Sequence, residues 1–431
     1  MRWVLKIWIV CICLGVVLSC SQQKNQTEQE EEPIKKKEVT ARDILGNPDY
    51  LAISYGGYRE KSRDAQPTVA QLKDDMKILH AMGIKFLRTY NVQLPHASNV
   101  LKAITELKQA DPDFEMYVML GAWIDCKNAW TDQEPDHDVE SEQNEGEIER
   151  AVALANQYPD IVKVLAVGNE AMVKWAASYY VQPSVILKWV NHLQSLKEEG
   201  KLPQDLWITC SDDFASWGGG DPLYHTEDLE KLYQAVDYIS IHTYPYHNSH
   251  YNPQFWHVPE GEQDLSTIEQ ADAAMLRALD FARNQYDSVT SYMKSLGVDK
   301  PIHIGETGWA TISDGLYGPD GSKATDEYKQ GLYYKHMREW TDKAGISCFY
   351  FEAFNEQWKD AGNPIGSENH FGLFTLDGQA KYPIWDLVDQ GIFNDLTRDG
   401  NTIKKTYDGN EETLKAEVMA PPISQASGIT N

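Results

Sequence analysis

Two glutamates stand where apolar runs stop. One run closes on Val167-Gly168-Asn169-Glu170, another on Ile304-Gly305-Glu306-Thr307-Gly308-Trp309. A third passes into Glu352-Ala353-Phe354-Asn355-Glu356-Gln357-Trp358-Lys359. Any one such glutamate is ordinarily a solvated loop acid or half of an ion pair. Two together, one preceded by asparagine and one by glycine, are what hydrolysis of a glycosidic bond requires. One carboxyl protonates the leaving oxygen, while the other attacks the anomeric carbon or activates a water.

For that chemistry the carboxylates must face each other across a rigid frame. Eight short apolar, β-branched runs offer one, at residues 51–55, 84–90, 116–121, 162–168, 207–211, 238–243, 301–305 and 346–351. Several are nearly continuous, as in parallel strands covered on both faces. Helical signals fall between them. Thr68 and Gln71 make a capping box, and Val69, Leu72, Met76 and Leu79 share a face before Gly83. Leu101, Ile104 and Leu107 repeat the pattern after Ser98, and later helices are expected over 184–200, 267–297 and 325–345. Strands alternating with helices eight times predict an α/β fold, a single (β/α)8 TIM barrel whose active site lies at the C-terminal strand ends. An open doubly wound sheet would carry a glycine-rich phosphate turn after its first strand. Tyr55-Gly56-Gly57-Tyr58 is not one.

The set of motifs resembles glycoside hydrolase family 17, the β-1,3-glucanases and related glucanosyltransferases, in its bacterial branch. Val167-Gly168-Asn169-Glu170 matches the acid/base motif of that family, and Gly305-Glu306-Thr307-Gly308-Trp309 its nucleophile motif. Ser54-Tyr55-Gly56, Leu87-Arg88-Thr89-Tyr90, Thr243-Tyr244-Pro245-Tyr246 and Tyr350-Phe351-Glu352 extend the match, in order, over residues 51–385. The resemblance implies a retaining mechanism, with Glu170 as general acid/base and Glu306 as nucleophile. It further implies Asn169 on the sugar 2-hydroxyl, Tyr244 beside Glu306, and a Glu356–Lys359 polar pair at the site edge. Tyr55, Arg88 and Tyr90 would line the floor, and an arginine beside a carboxylate keeps it charged, as suits a nucleophile. No cofactor is implied.

Aromatic residues support a sugar groove independently. Trp123, Trp175, Trp217, Trp309 and Trp358 fall in or just before the segments after strand ends. Indole rings present flat apolar faces to the C–H face of β-linked glucose. Trp309 and Trp358, next to the motif carboxylates, are the leading subsite candidates, whereas Trp189, Trp207 and Trp340 are read as packing residues. His242, His247 and His250 could be drawn as metal ligands, but their spacing is generic; no metal is expected, and His242 is assigned to the barrel mouth. The acid-rich stretch 132–149 lacks the ligand spacing of a calcium loop and is expected to be a solvated loop.

A formal net charge of -26 excludes nucleic acid as a partner and suits a neutral polysaccharide. Residues 1–19 read as a signal peptide, with Arg2 and Lys6 before a short apolar run, and Val17-Leu18-Ser19-Cys20 resembles a bacterial lipoprotein processing box. The alternative is an ordinary signal with an incidental Cys20. Lipidation of Cys20 implies a membrane partner and a cell-envelope location. Residues 20–44 are expected to be a disordered tether, 45–396 the barrel and 397–431 a C-terminal tail. Cys126, Cys210 and Cys348 have no metal spacing and are expected to be ordinary thiols in a monomer. The expected activity is hydrolysis of β-1,3-glucan. Its rivals are glucanosyl transfer on the same barrel and a non-catalytic glycan-binding lipoprotein, against which the intact glutamates argue.

Overall fold

The computed structural model describes residues 38–424. All eight runs become strands: β1 Leu51–Ser54, β2 Ile84–Arg88, β3 Tyr117–Ala122, β4 Val162–Asn169, β5 Trp207–Asp213, β6 Ile239–His242, β7 Ile302–Gly308 and β8 Cys348–Phe351. Each lies parallel to its neighbours in chain order, and β8 closes onto β1 through Tyr350 and Ile53. The result is the expected (β/α)8 barrel.

Alternation along the strands separates two environments. Ile53, Leu87, Leu165, Ile241 and Ile304 pack outward against the helices. Ala52, Phe86, Met119, Ala166, Tyr238 and Phe349 fill the interior. Two residues further along, the same inward rows turn polar: Ser54 follows Ala52, Arg88 follows Phe86, and Ser240 and His242 follow Tyr238, all of them buried. An apolar base therefore carries a polar layer just below the mouth. The base is sealed by a short helix, Ala41–Ile44, whose Ala41 and Ile44 join the interior cluster. This corrects the expected boundary: the compact unit begins at Val39, not after residue 44. The signal, Cys20 and most of the expected tether lie outside the described residues.

The helices follow their signals with two adjustments. The Thr68–Gln71 box caps Val69–Ala81 as expected, but the next helix starts at Pro95, ahead of Ser98, because proline suits the first turn. The stretch 132–149 is not a solvated loop. Cys126–Lys127 pairs with Asp136–Glu140 in a hairpin, and the helix Gln143–Gln157 follows. Its acids are used structurally: Glu140 accepts from the Trp189 indole at 2.7 Å, and buried Glu147 accepts from the backbone of Val92 and Trp123. No helix among the described residues is long and apolar enough to cross a membrane.

The C-terminal segment also departs from expectation. Thr397–Arg398 and Asn401–Thr402 form a second hairpin, and the helix Glu411–Ala416 buries Leu414 beside Tyr328 and Trp385. What reads as a polar tail is docked because Arg398 is not a surface charge. It is fully buried and donates from Nε to Asp75 at 3.0 Å. Asp75, buried on the first barrel helix, also receives the Arg59 guanidinium at 2.7 and 2.8 Å and the Tyr55 hydroxyl at 2.9 Å. Removing one member of a buried ion cluster leaves the others uncompensated. Asp75→Ala should therefore lower unfolding free energy by about 3–5 kcal/mol, read as a lower denaturant midpoint. A midpoint within error of the wild type would show that the clasp contributes nothing.

Candidate active site

Glu170 and Glu306 come together at the C-terminal mouth because both strand ends break their alternation. On β4, Gly168 has φ +82° and Glu170 itself φ +48°, a left-handed pair that turns the Glu170 carboxyl toward the barrel axis. On β7 the pairing with β6 shifts register, so that His242 stands opposite Glu306. Gly305 carries no side chain for a physical reason: a Cβ there would lie 2.1 Å from the Ser240 hydroxyl and 2.3 Å from that of Ser211. One oxygen of each carboxyl and a ring nitrogen of His242 lie within 4.8 Å of one another.

The two carboxyls sit in opposite electrostatic settings. Arg88, buried, donates to Glu306 Oε2 at 2.6 Å and to the Gly305 carbonyl at 2.8 Å. Tyr90 donates to Oε2 and Tyr244 to Oε1 of the same carboxylate, each at 2.7 Å. Burial works to raise Glu306, but His242, Arg88 and the two phenols outweigh it and hold the carboxyl below its ordinary range. His242 is itself pushed down to about 4 by burial. Near pH 7 it is neutral, so Arg88 and the tyrosines carry the effect there. Glu170 has neither an arginine nor a phenol donating to it, only the His242 ring nitrogen at 3.1 Å. Burial first, and then the negative charge of Glu306, raise it well above the ordinary range. One carboxyl keeps its proton while the other is ionised, which is the pairing that acid/base chemistry uses.

The remaining site residues divide sharply. Asn169 Oδ1 accepts from the second Arg88 nitrogen at 2.6 Å, which turns its amide nitrogen away from the arginine. Glu356 accepts from the Tyr58 backbone at 3.0 Å and the Trp358 indole at 2.8 Å. Lys359 pairs first with Glu352, at 2.6 Å, and only loosely with Glu356, at 3.8 Å, so the expected Glu356–Lys359 pair is corrected to a triad. Trp358 is half-buried, with the Arg63 guanidinium 4.3 Å from its ring. Two expected contacts are corrected. Tyr55 is buried in the Asp75 cluster and not on the floor. Trp309 is wholly buried between Tyr246, Trp256 and Tyr333, its indole donating to the Ala324 carbonyl, so it offers no face to a sugar. Trp217 is likewise core.

Sequence reasoning placed His242 at the mouth without a role. Its Nδ1 is 3.1 Å from Glu170 Oε1, and its Nε2 is 2.8 Å from the Ser211 hydroxyl, which bonds Ser240 at 2.9 Å. With Nδ1–H donating to Oε1, the proton of Glu170 belongs on Oε2. Asp212 was missed altogether. It accepts from the Met172 backbone at 2.7 Å and so holds the turn that follows Glu170. The signal available for His242 was its place at the end of the sixth run, two residues after Ser240, which puts both side chains on the inward row.

A parallel barrel that opposes a protonated and an ionised carboxyl at its mouth has the make-up of a glycoside hydrolase. The chain belongs to the BtgE/BtgC glycoside hydrolase family, whose model matches residues 52–372. It is 67% identical to an endo-laminarinase from Formosa Hel1_33_131, with a TM-score of 0.89 over 91% of this chain and 100% of that one. A glucan 1,3-beta-glucosidase of Arthroderma benhamiae is 26% identical over 279 residues, 62% of this chain and 70% of that protein. A Rhizomucor miehei beta-1,3-glucanosyltransferase mutant, in complex with laminaritriose, shares the fold at 21% identity and a TM-score of 0.54, over 78% and 96% of the two chains.

The hydrogen bond from Tyr90 stabilises the ionised form of Glu306 more than the neutral acid. Tyr90→Phe should therefore move the Glu306 titration to higher pH, followed by carbon NMR of labelled glutamate carboxyls. An unmoved or lower titration would show that this phenol does not tune the carboxylate.

Proposed function

We propose that the chain is a retaining, endo-acting β-1,3-glucanase in which Glu170 is the general acid/base and Glu306 the nucleophile. The observation that carries this is the pairing at the mouth: one oxygen of each carboxyl lies within 4.8 Å of the other, and Arg88, Tyr90 and Tyr244 donate to Glu306 alone, which favours ionisation there and leaves the proton to Glu170. An inverting pair stands roughly 6.5–9.5 Å apart to hold a water between its members. The substrate class rests on the likeness to the Formosa endo-laminarinase.

In the first step Glu306 Oε attacks the anomeric carbon as Glu170 passes its proton to the glycosidic oxygen. The C–O bond breaks, and the chain bearing the new hydroxyl leaves. In the second, Glu170, now ionised, takes a proton from water, the oxygen attacks the same carbon, and Glu306 departs as carboxylate. Two inversions give retention. Arg88, Tyr90 and Tyr244 position Glu306 and His242 positions Glu170. The amide nitrogen of Asn169, turned from Arg88, is set to donate to the sugar 2-hydroxyl.

Linear β-1,3-glucan should yield short oligosaccharides whose newly formed reducing ends are first β. An α first product, or equal cleavage of a β-1,4-glucan, would overturn the mechanism or the linkage; products longer than the substrate would make transfer the main reaction. Glu306→Gln should abolish turnover. Glu170→Ala should still be glycosylated by an activated aryl β-glucoside, and azide should release a β-glycosyl azide. An α-azide from that variant would reverse the two roles.

We also propose that Cys20 is acylated and tethers a monomeric enzyme at the cell envelope. The support is the Val17-Leu18-Ser19-Cys20 box followed at once by a polar, charged stretch. Cys20→Ala should move the protein from the membrane fraction to the soluble one or leave it unprocessed. Equal partitioning of the two forms would rule the anchor out.

A further inference from the structure

The loops after β3 and β4 hold a group of aromatic residues that the chemistry at the two carboxylates does not use. Trp130 lies in the hairpin loop between Cys126–Lys127 and Asp136–Glu140, and its side chain is 62% exposed. Its backbone is left-handed, with φ +62°, a conformation that a bulky side chain adopts only where its surroundings impose it. The surroundings are specific. One face of the Trp130 ring stacks on Tyr179, centroids 5.0 Å apart at 23°, and Trp123 leans on both rings, at 6.2 and 5.1 Å. Asp125 lies beside both the Trp123 and the Trp130 indole. Cys126 donates from its backbone to the Tyr179 carbonyl at 3.1 Å, which fixes the hairpin to the segment that runs on from Glu170. A large apolar ring is thus held rigidly with one face backed and the other open to solvent. An unpaired, immobilised aromatic face is costly to display and fits the apolar C–H face of a pyranose.

Its place relative to the scissile bond follows from the barrel. In a closed ring of eight strands, β4 and β8 stand opposite each other. Trp358 and Tyr58 lie on the β8 and β1 side, and Trp130 and Tyr179 on the β3 and β4 side. The acid that protonates the leaving oxygen stands on the leaving-group side of the cleaved bond, and Glu170 ends β4. The β3 and β4 loops therefore flank the part of the substrate that departs first.

We propose that Trp130, backed by Tyr179, is a distal aglycone subsite that stacks a glucosyl unit on the reducing-end side of the scissile bond. The same surface seats the incoming chain when a sugar, in place of water, meets the glycosyl-enzyme. The inference rests on the β-1,3-glucanase reading above.

The test uses laminarihexaose labelled at its reducing end, the full-length enzyme, and Trp130→Asn, since asparagine tolerates the left-handed backbone. The expected result is a fall in kcat/KM of about tenfold, the ratio that corresponds to roughly 1.4 kcal/mol of lost stacking. Cleavage should also move toward the labelled end, because the chain slides to fill the opposite subsites. Trp130→Phe, which keeps a ring at the same backbone angle, should restore most of the wild-type pattern. An active wild type whose cleavage positions are unchanged in Trp130→Asn overturns the subsite alone, as does a shift toward the unlabelled end. A wild type inert on the hexaose overturns the glucanase reading and the subsite with it.

Discussion

Arg88 is a guanidinium placed inside a barrel, and a charge so deeply buried is tolerable only when its surroundings answer it. Glu306 does so from β7, the Gly305 carbonyl from the same strand and Asn169 from β4, while Arg88 itself rises from β2. Three strands far apart in the chain are thereby held at one height. The neighbouring geometry is subordinate to this contact. Gly305 lacks a side chain because the serine layer needs its space, and the register shift at His242 turns Glu306 inward to meet the arginine.

The same buried charge divides two otherwise similar carboxyls. Both are enclosed, and enclosure alone would keep both protonated. Arg88 reaches Glu306 directly and Glu170 only at a distance, so the ionised site falls where the arginine is and the proton where it is not. Glu306 then reinforces the choice, because a second negative charge beside it is resisted. One residue's reach sets an asymmetry that neither glutamate has by itself.

The sequence made the frame legible because periodicity reports which residues are covered. All eight apolar runs became strands, and the Thr68 box capped its helix. It was less able to report direction. Trp309 follows Glu306 closely, yet it lies within the aromatic core instead of the groove, since adjacency in sequence does not say which way a ring points past a strand end. Tyr55 was misassigned for the same reason. Residues 397–424 looked like a tail because their local composition is polar; the partner that buries Arg398 is Asp75, which no local window contains. His242 and Trp130 were hidden differently. The first depends on a proton network across three strands, the second on a backbone angle that sequence does not display.

The clasp at Asp75 has a consequence for how the chain acquires its shape. Asp75 belongs to the first barrel helix and Arg398 lies 323 residues further on, while β1 waits for β8 to complete its pairing. An emerging polypeptide thus exposes an unclosed sheet edge, and an Asp75 held by Arg59 but lacking its second cation, until β8 and Arg398 have been synthesised. Contacts of such long sequence separation slow folding and leave partial chains prone to association. Arg398, far downstream, completes the clasp on the helix that carries Asp75, so a chain cut short before it carries its incompleteness at the opposite end from the missing part.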